Sequence, residues 1–325
     1  MSNIKNIAVF TSGGDAPGMN AAIRAVVRTG LYYNLNVFGI RKGYDGMVHD
    51  DIFPMDAKSV ANIIQRGGTI LKTARSEEFR TVEGRKQAYE NLKKHGIDGL
   101  VAIGGDGTFT GASKFFEEHQ IPIIGLPGTI DNDLVGTDFT IGYDTAINTV
   151  IEAVDKIRDT AESHDRVFVV EVMGRDSGLI ALRAGISVGA ECVLIPEIKV
   201  DYSAMMDRLD RTRKNKASRV IIVAEGDDAG GAFAVAERIK ERFPHYDMRV
   251  SILGHIQRGG SPTCMDRVLA SRLGVTAVEA LLKGHQGEMV GLIHSDVVYT
   301  PFNKAIKHLG TINEDLLRIV DILSL

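Results

Sequence analysis

Four glycine-rich stretches hold the residues whose types and spacing could do chemistry. The first is Thr11-Ser12-Gly13-Gly14-Asp15-Ala16-Pro17-Gly18-Met19-Asn20, ahead of a helix-forming run that begins at Ala21. Glycines let backbone approach a ligand closely, and free N–H groups before a helix point at anionic oxygens, so phosphate is a natural guest. A plain strand-to-helix turn explains this loop equally well by itself. The second stretch, Gly104-Gly105-Asp106-Gly107-Thr108, sets a carboxylate and a hydroxyl in a bend. Packing does not call for an ionised Asp among glycines, whereas Mg²⁺ and its waters beside phosphate oxygens do; simple turns also favour Asp and Gly.

The third stretch is Pro127-Gly128-Thr129-Ile130-Asp131-Asn132-Asp133. Two carboxylates in such a loop can divide labour, one accepting a hydroxyl proton and the other assisting a metal. Asp131 is the candidate base, with an Asx turn or helix cap as the alternative. In the fourth, Met173-Gly174-Arg175-Asp176-Ser177-Gly178, Arg175 could meet charge developing on a transferred phosphoryl group or be a solvated loop arginine.

None of the four is a Walker A loop, since Gly-Lys-Ser and Gly-Lys-Thr are absent, as are the protein-kinase triplets His-Arg-Asp and Asp-Phe-Gly. The dinucleotide pattern G-x-G-x-x-G fails too, because Thr110 takes its last position and glycine arrives only at Gly111. A Rossmann-type oxidoreductase is thereby disfavoured, and Asp106, Asp131 and Arg175 argue against a noncatalytic phosphate sensor.

These loops need rigid elements behind them. Short apolar runs rich in β-branched residues at 4–10, 37–40, 100–103, 123–126, 167–172, 193–195, 220–224 and 250–253 read as buried strands. Segments with helical spacing lie between them, such as Ala22, Ile23, Val26 and Val27, or Ile147, Val150, Ile151, Val154 and Ile157. That alternation predicts an α/β fold of two Rossmann-like, three-layer lobes with mainly parallel sheets, in which ligands collect beyond the carboxyl ends of strands. All four of the stretches above directly follow a strand-like run.

The bulk properties agree. The 325 residues are 44% hydrophobic and 25% charged with a formal charge of -4, an ordinary globular profile with no feature pointing to nucleic acid or an anionic membrane. Cys192 and Cys264 stand in unrelated contexts, so neither a disulfide framework nor a cysteine zinc site is expected, and a cytoplasmic setting fits. The apolar run at 4–10 is too short for a signal peptide or membrane anchor.

Taken in order, the first three stretches, Met173-Gly174-Arg175 and Gly254-His255-Ile256-Gln257-Arg258-Gly259-Gly260-Ser261-Pro262 resemble the bacterial ATP-dependent 6-phosphofructokinases over nearly the whole chain. Gly-Gly-Asp-Gly-Thr alone is shared with lipid and NAD kinases; the five motifs together are specific. The resemblance implies glycolytic transfer of a phosphoryl group from ATP to fructose 6-phosphate. It implies a larger ATP- and Mg²⁺-binding lobe (residues 1–141 and 257–303) and a smaller sugar-phosphate lobe (142–256 and 304–325). Gly14, Arg75, Ser76, Gly105, Asp106, Gly107 and Thr108 would line the ATP site, with Asp106 on the metal. Thr129, Ile130, Asp131, Met173, Gly174, Arg175, Glu225, His255, Ile256, Gln257 and Arg258 would hold fructose 6-phosphate, joined by Arg166 and Arg249 of a neighbouring subunit in a homotetramer. Asp131, Arg175, Gly14 and Thr129 would be the catalytic set. Guanidinium forks suit a dianionic phosphate on chemical grounds.

The resemblance further implies an effector site for ADP and phosphoenolpyruvate at Arg24, Arg28, Arg158, Gly189, Glu191, Lys214 and Lys216. Here the chain departs from the family: Ala57, followed by Lys58, stands at the place of an effector-binding arginine, and Asn62 where an acidic residue is common. Pyrophosphate-using relatives typically carry Asp at the position of Gly107 and Lys at that of Gly128, so these glycines point to ATP.

Overall fold

A computed structural model describes residues 4–162, 166–212, 219–306 and 314–323. The chain divides into two compact units. One comprises Met1–Ile130, Leu134–Thr145 and Arg258–His308, the other Asp131–Asp133, Ala146–Gln257 and Leu309–Leu325.

The first unit opens with β1 (Asn6–Thr11), α1 (Met19–Tyr32), β2 (Asn36–Ile40), α2 (Tyr44–Val48) and β3 (Ile52–Met55). It continues with α3 (Val82–Lys94), β4 (Gly99–Gly104), α4 (Asp106–His119) and β5 (Ile123–Pro127), and α5 (Tyr143–Glu162) starts in it. The second unit carries β6 (Arg166–Val172), α6 (Leu179–Ser187), β7 (Cys192–Leu194), α7 (Tyr202–Thr212), β8 (Arg219–Ala224), α8 (Gly231–Arg242) and β9 (Asp247–Ile252). The chain then adds α9 (Cys264–Lys283), β10 (Glu288–Ile293), β11 (Asp296–Pro301) and α10 (Phe302–Ala305) to the first unit, and α11 (Glu314–Leu323) to the second.

Among the described residues the first unit has a seven-stranded sheet, β11-β10-β5-β4-β1-β2-β3, and the second a four-stranded sheet, β7-β8-β6-β9. The four strands of the second sheet are parallel, as are β2, β1, β4, β5 and β10. Parallel strands are covered on both faces, which is why β4 and β8 are buried along their whole length and read as apolar runs, in β8 from Val220 onward after the buried Arg219. The first unit's sheet ends in antiparallel strands at each edge, β3 on β2 and β11 on β10. These were not among the expected strands. Pro54 within β3 is tolerated only because an edge strand need not donate every ladder hydrogen bond. The β10–β11 hairpin turns through His294 and Ser295, both at positive φ (50° and 74°), without the Asn-Gly or Asp-Gly signal of such turns.

One face of the larger sheet packs Phe10, Ala102 and Leu100 against Met47, Leu92, Phe109 and Phe115 of the helices. On the other face α1 crosses α9 so closely that a Cβ on Gly274 would lie 2.6 Å from Ala25 Cβ and 3.0 Å from the Ala22 carbonyl oxygen. Gly274→Val is therefore expected to cost about 1–3 kcal/mol through overpacking. Urea unfolding checks this as a lower midpoint at unchanged slope; an unmoved midpoint would mean that the helices part without cost.

Residues 142–145, expected with the smaller lobe, pack with the first unit because the Gly142 and Thr145 amides bond the Asp266 carboxylate. Ala305 stays there too, buried in that unit's core, whereas Asp131–Asp133 group with the second.

Candidate active site

In the first unit the loops that follow β1, β4 and β5 are laced together by their own backbones. The Ser12 amide donates to the Ile103 carbonyl at 3.0 Å and the Gly128 amide to the Gly104 carbonyl at 2.9 Å. The Thr108 hydroxyl donates to the Ser12 carbonyl at 3.1 Å, and the Tyr44 hydroxyl to the Thr108 carbonyl at 2.5 Å. A Cβ on Gly104 would collide with both Ser12 and Thr108. Thr108 is thus a staple between two phosphate-loop candidates, its hydroxyl engaged inside the protein.

Beside this staple lies a cavity of about 470 Å³, whose lining includes the expected Arg75, Ser76, Gly107 and Thr108. It also includes Ser12 and Gly13 of the first glycine-rich stretch, and Tyr44, Phe79, Arg80, Gly111 and Lys114, which were not among the expected site residues. One signal was available: Gly107, Gly111 and Lys114 follow the i, i+4, i+7 spacing of a single face of α4. The Tyr44 and Phe79 rings stack at 4.0 Å in this wall, and burial pushes the Tyr44 phenol far above its usual pKa. Arg85, buried and bidentate to Glu118 at 2.7 and 2.6 Å, also donates to the Phe79 and Arg80 carbonyls and so holds the turn that bears Arg80.

Asp106 is the first residue of α4, where a carboxylate also complements the helix dipole. Among the described residues no three His, Cys, Asp or Glu side chains gather as a metal cage. A single carboxylate next in the chain to Gly107 of the cavity wall fits Mg²⁺, which keeps several waters and takes most other ligands from substrate phosphates. Gly14, Gly105 and Asp106 itself lie outside the cavity lining. A Cβ on Gly14 would run into the Arg258 guanidinium, which donates to the Asp15 carbonyl at 3.4 Å. Thr129 is placed by its carbonyl, which accepts the Thr140 hydroxyl at 2.6 Å, and Ile130 beside it is fully buried.

In the second unit Asp131 is only 4% exposed, and Arg175 Nε stands 3.6 Å from its Oδ2. Arg175 is itself in the left-handed region (φ 55°), a conformation non-glycine residues adopt at a cost. It is held there by its amide, which donates to Glu225 Oε1 at 2.9 Å. Gln257, fully buried, accepts the Met173 amide at 3.2 Å and donates to the Gly254 carbonyl at 3.0 Å. The expected sugar ligands Glu225 and Gln257 therefore also shape the loop at Met173, Gly174 and Arg175. His255 and Ile256 are exposed on the short 3₁₀ turn Gly254–Arg258. Arg166 on β6 and Arg249 on β9 both pair with Asp247, at 2.8 and 2.5 Å. Two guanidinium groups are thereby gathered on neighbouring strands.

The residues expected at an effector site divide between the units. Arg24 and Arg28 project from α1, burial and the neighbouring Arg28 lowering the Arg24 pKa. In the second unit Arg158 donates to the Val188 carbonyl beside Gly189 (φ 59°), and the fully buried Glu191 accepts the Val220 amide at 2.6 Å. Lys214 and Lys216 fall outside the described residues. Ala57 and Asn62 are exposed in the first unit.

The Phosphofructokinase family model matches residues 6–281. This chain belongs to the phosphofructokinase family. It is 59% identical over 319 residues to the ATP-dependent 6-phosphofructokinase of Cytophaga hutchinsonii, covering 98% of this chain and 97% of that one. To ATP-dependent 6-phosphofructokinase 1 of Thermus thermophilus it is 56% identical over 323 residues, 99% of this chain and 100% of the relative. Among solved structures, phosphofructokinase from Saccharomyces cerevisiae superposes with a TM-score of 0.88 at 40% identity over 98% of this chain, which spans 48% of the yeast chain.

Proposed function

We propose that this chain is a glycolytic kinase that transfers the γ-phosphoryl group of ATP to the 1-hydroxyl of fructose 6-phosphate in one in-line step. The observation that carries this reading is the nearly buried Asp131 carboxylate with Arg175 Nε 3.6 Å away. A base poised beside a cation is the minimum that direct phosphoryl transfer to an alcohol asks of side chains, and no phosphoenzyme is needed.

Asp131 accepts the 1-hydroxyl proton as the oxygen attacks. Arg175, exposed at its guanidinium end yet anchored through its amide, meets charge on the transferred group, and the Gly14 amide adds a donor. Asp106 would hold Mg²⁺, which when bound neutralises charge on the nucleotide phosphates. Arg75, Ser76, Gly107 and the Thr108 backbone border the cavity that takes the nucleotide, with Gly105 behind Asp106. Thr129, Ile130, Met173, Gly174, Glu225, His255, Ile256, Gln257 and Arg258 orient the sugar phosphate. Arg166 and Arg249 serve the 6-phosphate of a neighbouring subunit in a homotetramer, exchanging Asp247 for phosphate oxygens. Arg24, Arg28, Arg158, Gly189, Glu191, Lys214 and Lys216 make up an effector site for ADP and phosphoenolpyruvate, and the enzyme works in the cytoplasm.

Donor choice has a physical basis. A Cβ at Gly107 would meet nothing within 4 Å, and Gly107 borders the cavity, so its lack of a side chain leaves that space to the nucleotide. At Gly128 even a Cβ would touch Ile103 and Met19 at 3.0 and 3.1 Å, leaving no ready place for a lysine. Purified protein with Mg²⁺, ATP and fructose 6-phosphate is expected to form ADP and fructose 1,6-bisphosphate in equal amounts, faster than with pyrophosphate. Absence of both products would overturn the reading, and a faster pyrophosphate reaction would overturn the donor.

A further inference from the structure

We infer that Asp266 is a positioning residue for the phosphoryl-acceptor loop: from the first turn of α9 its carboxylate clamps residues 142–145, which fix the adjoining Thr140 and Ile141, the residues that hold Thr129 and the chain leading into Asp131. The inference rests on the catalytic role proposed for that loop.

Asp266 is 1% exposed. Its Oδ1 accepts the Gly142 amide at 2.8 Å, and its Oδ2 accepts the Thr145 amide at 2.8 Å and the Thr145 hydroxyl at 2.5 Å. The same corner is closed from α9, where the Thr263 amide donates to the Thr145 hydroxyl oxygen at 3.0 Å and the Thr263 hydroxyl to Asp144 Oδ2 at 2.6 Å. Residues 142–145 are thereby fixed to the helix that follows Arg258, Ser261 and Pro262.

The clamp passes directly to the loop. The Ile141 amide donates to the Pro127 carbonyl at 2.8 Å, Ile141 forms a parallel bridge with Gly128, and the Thr140 hydroxyl donates to the Thr129 carbonyl at 2.6 Å. Thr140 and Ile141 are fully buried, so no water replaces these bonds. The first glycine loop backs onto the same hub. A Cβ on Gly18 would lie 2.7 Å from Ile141 Cγ2 and 3.6 Å from Asp266 Cβ, and one on Gly142 would lie 2.7 Å from Ala16 Cβ.

A carboxylate so placed is costly to keep. Burial, reinforced by Asp144, raises the Asp266 pKa against the opposing hydrogen bonds from Thr145 and Gly142. An apolar residue would avoid that cost but would leave three buried donors unmatched. The carboxylate therefore serves to define where residues 142–145 lie, more than to stabilise the fold as a whole.

Asp266→Asn keeps the size but presents an N–H₂ group to at least one of these donors. A shift of the acceptor loop by about 1 Å would cost on the order of a hundredfold in turnover. The expected result for the folded variant is that loss in kcat with a KM for ATP within about threefold of the parent, since the nucleotide cavity does not include these residues. Thr145→Val, which keeps the carboxylate and removes one hydroxyl, is expected to lose about tenfold in kcat, one charge-assisted hydrogen bond's worth, and decides the matter if the Asn variant does not fold. Both are compared per folded molecule, by circular dichroism, with Asp131→Ser measured alongside. A parent-like kcat in Thr145→Val, or a loss in Asp266→Asn that only tracks the folded fraction, overturns the inference. Normal turnover in Asp131→Ser would instead overturn the catalytic reading on which it rests.

Discussion

Asp131→Ser is expected to lower kcat at least about a hundredfold while changing the KM for either substrate only modestly, because general-base catalysis contributes in the transition state and little to ground-state binding. The geometry makes this a clean test. Asp131 is almost fully enclosed, Ser is smaller, and the neighbouring Arg175 stays anchored through its amide to Glu225. The rest of the loop keeps its support from Thr140 and Ile141. Steady-state kinetics with product quantification check it. A variant with near-parent kcat would remove Asp131 as the base, and a large rise in KM with unchanged kcat would make it a binding residue only.

Gly107→Asp is expected to reduce kcat/KM for ATP by on the order of a hundredfold or more without lowering stability. Two unit charges 4 Å apart at an effective dielectric of about 20 repel by about 4 kcal/mol, and phosphate carries more than one charge. The fold has no objection to the change, since nothing lies within 4 Å of the new Cβ. Position 107 is in the first turn of α4, where an acidic side chain complements the helix dipole and where replacing glycine reduces the freedom of the unfolded chain. Thermal unfolding at or above the parent midpoint, with ATP turnover collapsed, is the predicted pair of results. ATP kinetics within about threefold of the parent would show that the position does not face the nucleotide.

The contrast between these sites and Asp266 shows what kind of feature a sequence displays. Gly104 to Thr108 and Thr129 to Asp131 announce themselves because local backbone demands and chemistry fall in one short stretch, directly after an apolar strand. Asp266 shows nothing of the sort. Its partners Gly142 and Thr145 lie 124 and 121 residues away, and the sequence around it reads only as the start of a helix. Glu225 and Gln257 are intermediate: their places were expected from the family resemblance, but their bonds to the backbone of Arg175 and Met173 were not.

The elements divide in the same way. Strands β4 and β8 were legible because a parallel strand buried on both faces must be apolar throughout, and the α/β class followed from their alternation with helical spacing. The edge strands β3 and β11 were not, since an edge is partly solvated, admits Pro54, and is recognised only by the strand it joins; nor was β10, which is partly exposed towards both of its ends.

By itself, then, the sequence determined the layered α/β architecture, the phosphate-loop candidates and the family, all properties that reside in short runs of residues or in their order. Tertiary structure alone decided that the Thr108 hydroxyl staples one loop to the next, that Lys114 and Tyr44 line one cavity with Arg75 and Gly107, and that the Asp266 carboxylate gathers the amides of residues 142 and 145. The physical reason is that hydrogen bonds and cavity walls join groups remote in the chain, and only packing brings those groups within reach of one another.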